Sequence, residues 1–305
     1  MFISVRGRRI PIISYSMEES VWDYAPCIRM LLGELLDSDV WSWDESSLEY
    51  EVVSVRVEGT AAWSYLSYPR PYMEMSRRLS VPVSREDTIA GLCGCFGLPF
   101  VTQHSATSLS RHWWVLGSMR GRRLFDSLVL GCGCSGGGCS TLHYTPSGMF
   151  CYTDLLAVRG LSSVFSFIGT SGDYSADRES DVVIPGILDV CFDDSRGVGV
   201  YERHVFQEGS SLGGIKTYLS NDELRDYRIW CQRNRYWRSR LRSMTMTFTG
   251  VNVVDGYLGV GVVCRYMDGS ERGVPMLCTR YYRDFTNTVS DIRIDCVPLS
   301  VLGGE

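Results

Sequence analysis

Residues 16–38 read SMEESVWDYAPCIRMLLGELLDS, and the reading of this stretch decides the fold class. Ser16 followed by Glu19 matches a capping box, in which a hydroxyl and a carboxylate satisfy the free N–H groups of a helix's first turn. Pro26 has no N–H to give a helix interior, so a first helix is expected to end there. CIRMLLGELL, residues 27–36, reads as a second helical piece. On this reading residues 1–48 form a helical N-terminal portion, and the class expected is α+β.

Outward from there, strand signals dominate. LEYEVVSVRVEG (49–59) alternates polar residues with valine, the period-2 pattern of a half-buried strand. YLSYPRPYMEM reads as an irregular connection, and VSREDTIAGLCGCFGL (83–98) as a short helix capped by Ser84 and running into a cysteine pair. HWWVLGSM (112–119), RRLFDSLVL (122–130), VVIPGILDVCFDD (182–194) and GVGVYERHVF (197–206) read as strands. So do MTMTFTGVNVV, YLGVGVVCRYM, GVPMLCTRYYRDF and VSDIRIDCVPL near the C-terminus, with Asp255-Gly256 and Asp268-Gly269 as turns. With no internal repeat and no linker, a single domain over 1–305 is expected: the helical portion 1–48, then a mixed α+β core over 49–305 with a Cys-rich loop near 131–143.

Composition bounds the function. A chain with 45% hydrophobic and 21% charged residues can bury a core, and a net charge of −5 argues against a surface built wholly for nucleic acid. Lys216 is the one lysine among 30 basic residues. Codon composition accounts for that, as does avoidance of ubiquitin-acceptor lysines. No signal-peptide core is seen, and nowhere do about 18 apolar residues run together, so no membrane association is expected. Twelve cysteines in such a chain point to a reducing compartment, where clustered thiols serve as metal ligands or as small buried hydrophobes.

Three constellations carry chemistry. Cys93 and Cys95, Cys132 and Cys134, then Cys139 and His143 supply soft donors on two glycine-rich loops, the arrangement that lets thiolates converge on zinc. Passive buried thiols explain the same residues, and a catalytic Cys–His pair is the least favoured reading, since it needs an orienting group that spacing does not place. Residues 220–244 read as one amphipathic helix, with Asp222, Glu223 and Asp226 at its start and arginines behind. Arg233, Arg235, Arg238 and Arg240, with Trp237, form either a solvated face or a surface for nucleic acid or an acidic partner. VNVVDGYLGVGVV (251–263) bears a faint likeness to the uracil-recognising hairpin of dUTP pyrophosphatases, although D-G-Y-L-G is one residue too short; an ordinary β-hairpin is the plainer reading. No P-loop, dinucleotide fingerprint, G-x-S-x-G or H-E-x-x-H occurs, so an enzyme is the weaker class.

Several segments, in order along the chain, resemble the adenovirus early region 4 34 kDa protein family. They are VPVSREDTIAGLCGCFGL, FDSLVLGCGCSGGGCS, CRYMDGSERGVPML and CTRYYRDFTNTVSDIRIDC. The resemblance implies a viral early regulatory adaptor of the host nucleus and cytoplasm. Such an adaptor binds a second viral early protein and recruits host elongin and cullin components into a ubiquitin ligase that degrades antiviral or DNA-repair factors. It also implies zinc at Cys93, Cys95, Cys132, Cys134, Cys139 and His143. Ser127, Leu128 and Cys132 follow the start of an elongin-binding box, but Gly136 stands where that box needs an apolar residue. A nucleic-acid-associated factor acting through the 220–244 helix is the second expectation, and a dUTPase-like hydrolase the third.

Overall fold

The stretch 16–38 is not helical. Its first residues finish the 13-residue strand Arg8–Ser20, and Cys27–Leu32 returns antiparallel beside it. In the second strand Ile28, Met30 and Leu32 point inward and are fully buried, which is the period of a strand. In the first, Ile10 and Ile12 are buried and then Tyr15, because an irregularity between Ile12 and Ser14 shifts the alternation. Ser16 is a ladder residue opposite Arg29, and Glu19 is buried. The capping-box pattern therefore arises from two residues with separate roles in a strand. The expected α+β fold with a helical N-terminal portion is corrected to a mostly β fold.

The computed structural model describes residues 1–23, 25–43, 48–59, 61–76, 78–79, 83–86, 93–94, 97, 99–102, 106–107, 112–115, 119–120, 133–134, 139–144, 149–174, 187–193, 199–205, 215–218, 234, 237–238, 240–270, 272–286 and 289–303. Phe2–Val5 and Arg8–Ser20 form a hairpin whose two-residue turn has Arg6 at φ 48° and Gly7 at φ 81°. Positive φ at both turn positions is the twist-matched solution for a tight hairpin. Around this hairpin six antiparallel strands close into a ring: Phe2–Val5, Val40–Trp43, Glu49–Glu58, Ala62–Pro69, Cys27–Leu32, Arg8–Ser20, and back to the first. Closure of this barrel is partial along Glu49–Glu58: Val40–Trp43 pairs with Glu49–Glu51, and among the described residues the rest of that strand pairs only with Ala62–Pro69. Its interior holds Ile3, Ile10, Ile28, Met30, Leu32, Trp41, Tyr50 and Tyr65. Trp41 stacks on Tyr50 at 5 Å-scale separation (4.6 Å between ring centroids) and donates its Nε1–H to Ser67 Oγ at 2.9 Å.

A second ring lies later in the chain. Val274–Thr286 pairs with Val262–Tyr266, which runs parallel to the start of Phe165–Tyr174. That strand pairs with Met246–Gly256, which pairs with Val289–Pro298, which returns to Val274–Thr286. Phe165, Phe167, Phe248, Cys264, Cys278, Ile294 and Cys296 fill this interior. The segment 251–263 is thus not a hairpin, because Phe165–Tyr174 lies between its two strands. The remaining described strands form smaller sheets. One has Ser140–Tyr144, Phe150–Asp154 and Phe100–Thr102; another has five strands drawn from 83–218. Arg70–Ser76 is an α-helix where an irregular connection was expected, and Val83–Glu86 is a strand where a capped helix was expected. Among the described residues no helix is long and apolar enough to cross a membrane.

The two rings follow one plan. Each has a three-strand meander whose third strand leads back to its first, through three further strands in the first ring and two in the second. The middle strands of the two meanders, Arg8–Ser20 and Val274–Thr286, pair antiparallel with one another from Ser14↔Thr286 to Ser20↔Arg280.

Candidate functional site

The seam between the barrels has two chemically distinct faces, because side chains alternate across a strand. On one face Glu18 lies opposite Tyr282, and Arg280 reaches Glu18 at 3.6 Å, Asp295 at 3.8 Å and the Tyr282 hydroxyl at 2.8 Å. Arg293 lies over the Tyr282 ring, 4.9 Å from its centroid. Further along, a groove of about 300 Å³ is bordered by polar residues such as Ser16, Arg29 and Asp284 and by apolar ones such as Met30 and Leu31. On the other face Tyr15 stacks on Phe285, with 5.5 Å between centroids, and the Tyr281 hydroxyl donates to the Glu19 carboxyl. Glu19 and Tyr281 are each 3% exposed, and burial raises the Glu19 pKa to about 7 against the smaller opposing effect of that hydrogen bond. Sequence reasoning missed this site, since Glu19 had been given to a helix start.

The Cys and His residues expected to hold metal are placed as follows. Cys139 and His143 are buried at and next to the strand Ser140–Tyr144, and Cys93 is buried as well. The Cys139 N–H donates to Asp154 Oδ1 at 3.1 Å, and the same oxygen accepts the Leu156 N–H at 3.0 Å. His143 sits opposite Cys151 in the ladder and packs on Gly261, where an added Cβ would lie 3.0 Å from the ring's Cε1. Its Nδ1 has no hydrogen-bond partner among the described residues, and burial lowers its pKa to about 4. Cys134 ends a short strand paired to Ala106, while Cys95, Cys132, Ser127 and Leu128 lie outside the described residues. Among the described residues no three His, Cys, Asp or Glu side chains form a group able to hold a metal ion.

Of the arginine-rich segment, Arg233 and Arg235 lie outside the described residues. Asn234 Oδ1 accepts the Ser140 N–H, and the Arg238 guanidinium donates to the Ser140 carbonyl at 2.6 Å. Two side chains one helical turn apart thus satisfy both backbone groups of one strand residue, as a neighbouring strand does. Trp237 packs half-buried against the second barrel's core, with the Arg240 guanidinium 5.3 Å from its ring centroid.

Two further features were not anticipated. Cys264, Cys278 and Cys296 meet inside the second barrel, with Cys264 Sγ and Cys296 Sγ 3.6 Å apart. Burial holds the Cys278 and Cys296 thiols above their ordinary pKa, so they behave as packed apolar groups. On the outside of the first barrel, Val53, Val55 and Val57 face solvent in a row, Val57 at 70% exposure.

The fold is similar to that of several solved structures. The chain is similar to the tail protein from Neisseria meningitidis MC58, with a TM-score of 0.59 and 11% identity over 99% of this chain and 97% of that one. It is similar to the 43 kDa tail protein of prophage MuSo2 from Shewanella oneidensis, with a TM-score of 0.54 and 10% identity over 98% of each chain. The E. coli c3393 protein, a component of the type VI secretion system with structural similarity to T4 bacteriophage tail proteins gp27 and gp5, aligns at a TM-score of 0.52 and 8% identity over 97% of this chain and 76% of that one. No protein-family model and no curated protein sequence matches the chain.

These likenesses correct the resemblance to the adenovirus early region 4 34 kDa family. With it fall the ubiquitin-ligase adaptor, the nucleic-acid and dUTPase alternatives to it, the elongin, cullin and viral early-protein partners, and the host-nuclear location. The physical reason lies in what carried the resemblance. CRYMDGSERGVPML is a hairpin with Gly269 at φ 94°, and DIRIDC lies within the strand beside it, with Ile294 and Cys296 buried. Alternating strands, an Asp-Gly turn and small buried thiols are features that unrelated β proteins share.

Proposed function

We propose that the chain is a structural subunit of a phage tail or a related secretion assembly, and that it acts by holding neighbouring chains rather than by catalysis. The observation that carries this reading is the likeness to two tail proteins over nearly their whole length. The row Val53, Val55 and Val57 supports it, because contiguous apolar side chains on a strand's solvent face mark a surface that another chain covers. The location that follows is a bacterial or phage particle.

The test is incorporation. Epitope-tagged chain expressed with its cognate tail or secretion genes should co-sediment with purified particles, and Val55→Asp with Val57→Asp should lower its share in them by about tenfold. Both substitutions fall on exposed positions, so the soluble protein should keep its far-UV circular dichroism. Wild-type chain found wholly outside purified particles would overturn the reading.

A further inference from the structure

The barrels are joined by one antiparallel ladder, and the last rung of that ladder buried on both strands is a carboxyl group facing a phenol. Glu19 and Tyr281 are direct cross-strand partners. Just beyond them the Val21 N–H donates to the Thr279 carbonyl at 2.9 Å, and the Gly261 N–H donates to the Cys278 carbonyl at 2.9 Å. Loosening at this rung therefore reaches both barrels at once.

Among the described residues the groups that face Glu19 are few. Tyr281 donates to it, and Cys278 of the same strand and Tyr50 of the first barrel feel its charge. Arg280, the next residue on the opposing strand, is engaged on the other face with Glu18 and Asp295. Arg283 lies opposite Met17 and is exposed. A buried carboxylate needs a cation or several N–H donors to be stable, whereas a buried carboxylic acid needs one or two hydrogen bonds. Among the described residues a single phenol meets the second requirement and falls short of the first.

We propose that the seam is a proton-controlled joint, closed while the Glu19 carboxyl is protonated and loosened when it ionises. This inference stands apart from the assembly role above, since it concerns only the chain's two halves. The direction follows from proton affinity. In the folded protein the carboxyl keeps its proton up to about pH 7, while an unfolded or opened chain releases it near the ordinary 4.5. Closure is strongest below pH 4.5 and weakens as pH rises through 7. Of the other described groups at this junction, Tyr50 is pushed up to about 12 and the Cys278 thiol is raised, while burial also raises Glu18 on the opposite face, so Glu19→Gln is the variant that assigns the response.

Hydrogen exchange of the full chain, corrected for the intrinsic pH dependence, is the test. Amides of Ser14–Ser20 and Arg280–Thr286 should exchange about tenfold faster or more at pH 8.5 than at pH 5.5. Those of Cys27–Leu32 and the Phe167 region should stay protected at both. Glu19→Gln, which keeps a neutral hydrogen-bonding group, should abolish the change. Tyr281→Phe removes the donor that favours the carboxylate and should move its midpoint to higher pH. The same pH response in Glu19→Gln as in wild type overturns the proposal. Should that variant fail to fold, a Glu19 carboxyl titrating near 4.5 in carbon-detected NMR of the wild type overturns it equally.

Discussion

The two barrels share a plan and differ in how the chain supplies it. The first is drawn from residues 1–69 without interruption, and every strand pair in it is antiparallel. The second combines Phe165–Tyr174 with strands that begin at Met246, and it closes through a parallel pairing of Phe165–Phe167 with Cys264–Tyr266. Local antiparallel hairpins close short loops, whereas a pairing across some eighty residues must first offset a larger loop entropy. The same architecture is thus reached by a mostly local route and by a mostly long-range one. The second barrel should be the more easily disrupted as a unit.

Removing a central ring is the strongest way to break this comparison. Phe167 is fully buried, meets Phe248 edge-on at 5.1 Å and lies 5.6 Å from Tyr266. Phe167→Ala should cost about 3–5 kcal/mol by lost burial and the cavity left behind. Native-state hydrogen exchange should show the second barrel opening while Ile28–Leu32 and Tyr65 keep their protection. If the first barrel loses protection in step, the seam makes the two a single cooperative unit and the contrast in assembly has no energetic counterpart.

The turns sharpen the comparison at a smaller scale. Gly256 leaves its strand at φ 80°, and an added Cβ would lie 2.1 Å from the Val164 carbonyl oxygen. Gly59, in the first barrel's hairpin, has φ 67° but open space around it. Gly256→Ala meets backbone that cannot move aside and should cost about 3 kcal/mol. Gly59→Ala carries only the conformational penalty, about 1 kcal/mol. Urea denaturation of both variants measures the difference, and equal costs would mean that the Val164 backbone yields.

These positions also indicate what was legible in the sequence. The strands at 49–58 and from 246 onward were readable, because alternation and Asp-Gly or Glu-Gly turns are local signals. Ile28, Met30 and Leu32 carried the same signal, but leucines at 31, 35 and 36 blurred it into a helical pattern. Leu35 proves exposed at 60%. Ser16 and Glu19 misled because a capping box and two ladder residues three apart look alike when the partner of Glu19 lies 262 residues away. The seam could not be read for that reason: no local period encodes a pairing between the two ends of a chain. The segment Phe165–Tyr174, wedged between two strands that looked like one hairpin, was hidden in the same way.

Charge pairs give the smallest effects and separate the seam from the periphery. Arg280 is largely buried, its side chain 19% exposed, and it stands between Glu18 and an Asp295 side chain only 7% exposed. Arg280→Gln leaves Asp295 short of a cation in a low-dielectric setting and should cost about 2 kcal/mol, little changed by salt. Arg8 and Glu34 pair at 3.4 Å on the first barrel's surface, with side chains 53% and 44% exposed. Water screens that pair and both side chains lose rotamer freedom in making it, so Arg8→Gln should change stability by less than about 0.5 kcal/mol. Thermal melts in low salt and in molar salt test both. A salt-insensitive loss above about 1 kcal/mol at Arg8 would show that the tip of the Phe2–Ser20 hairpin is held as tightly as the seam. The contrast between a fixed joint and a solvated rim would then fail at its periphery, while the difference between the barrels' cores would stand untouched.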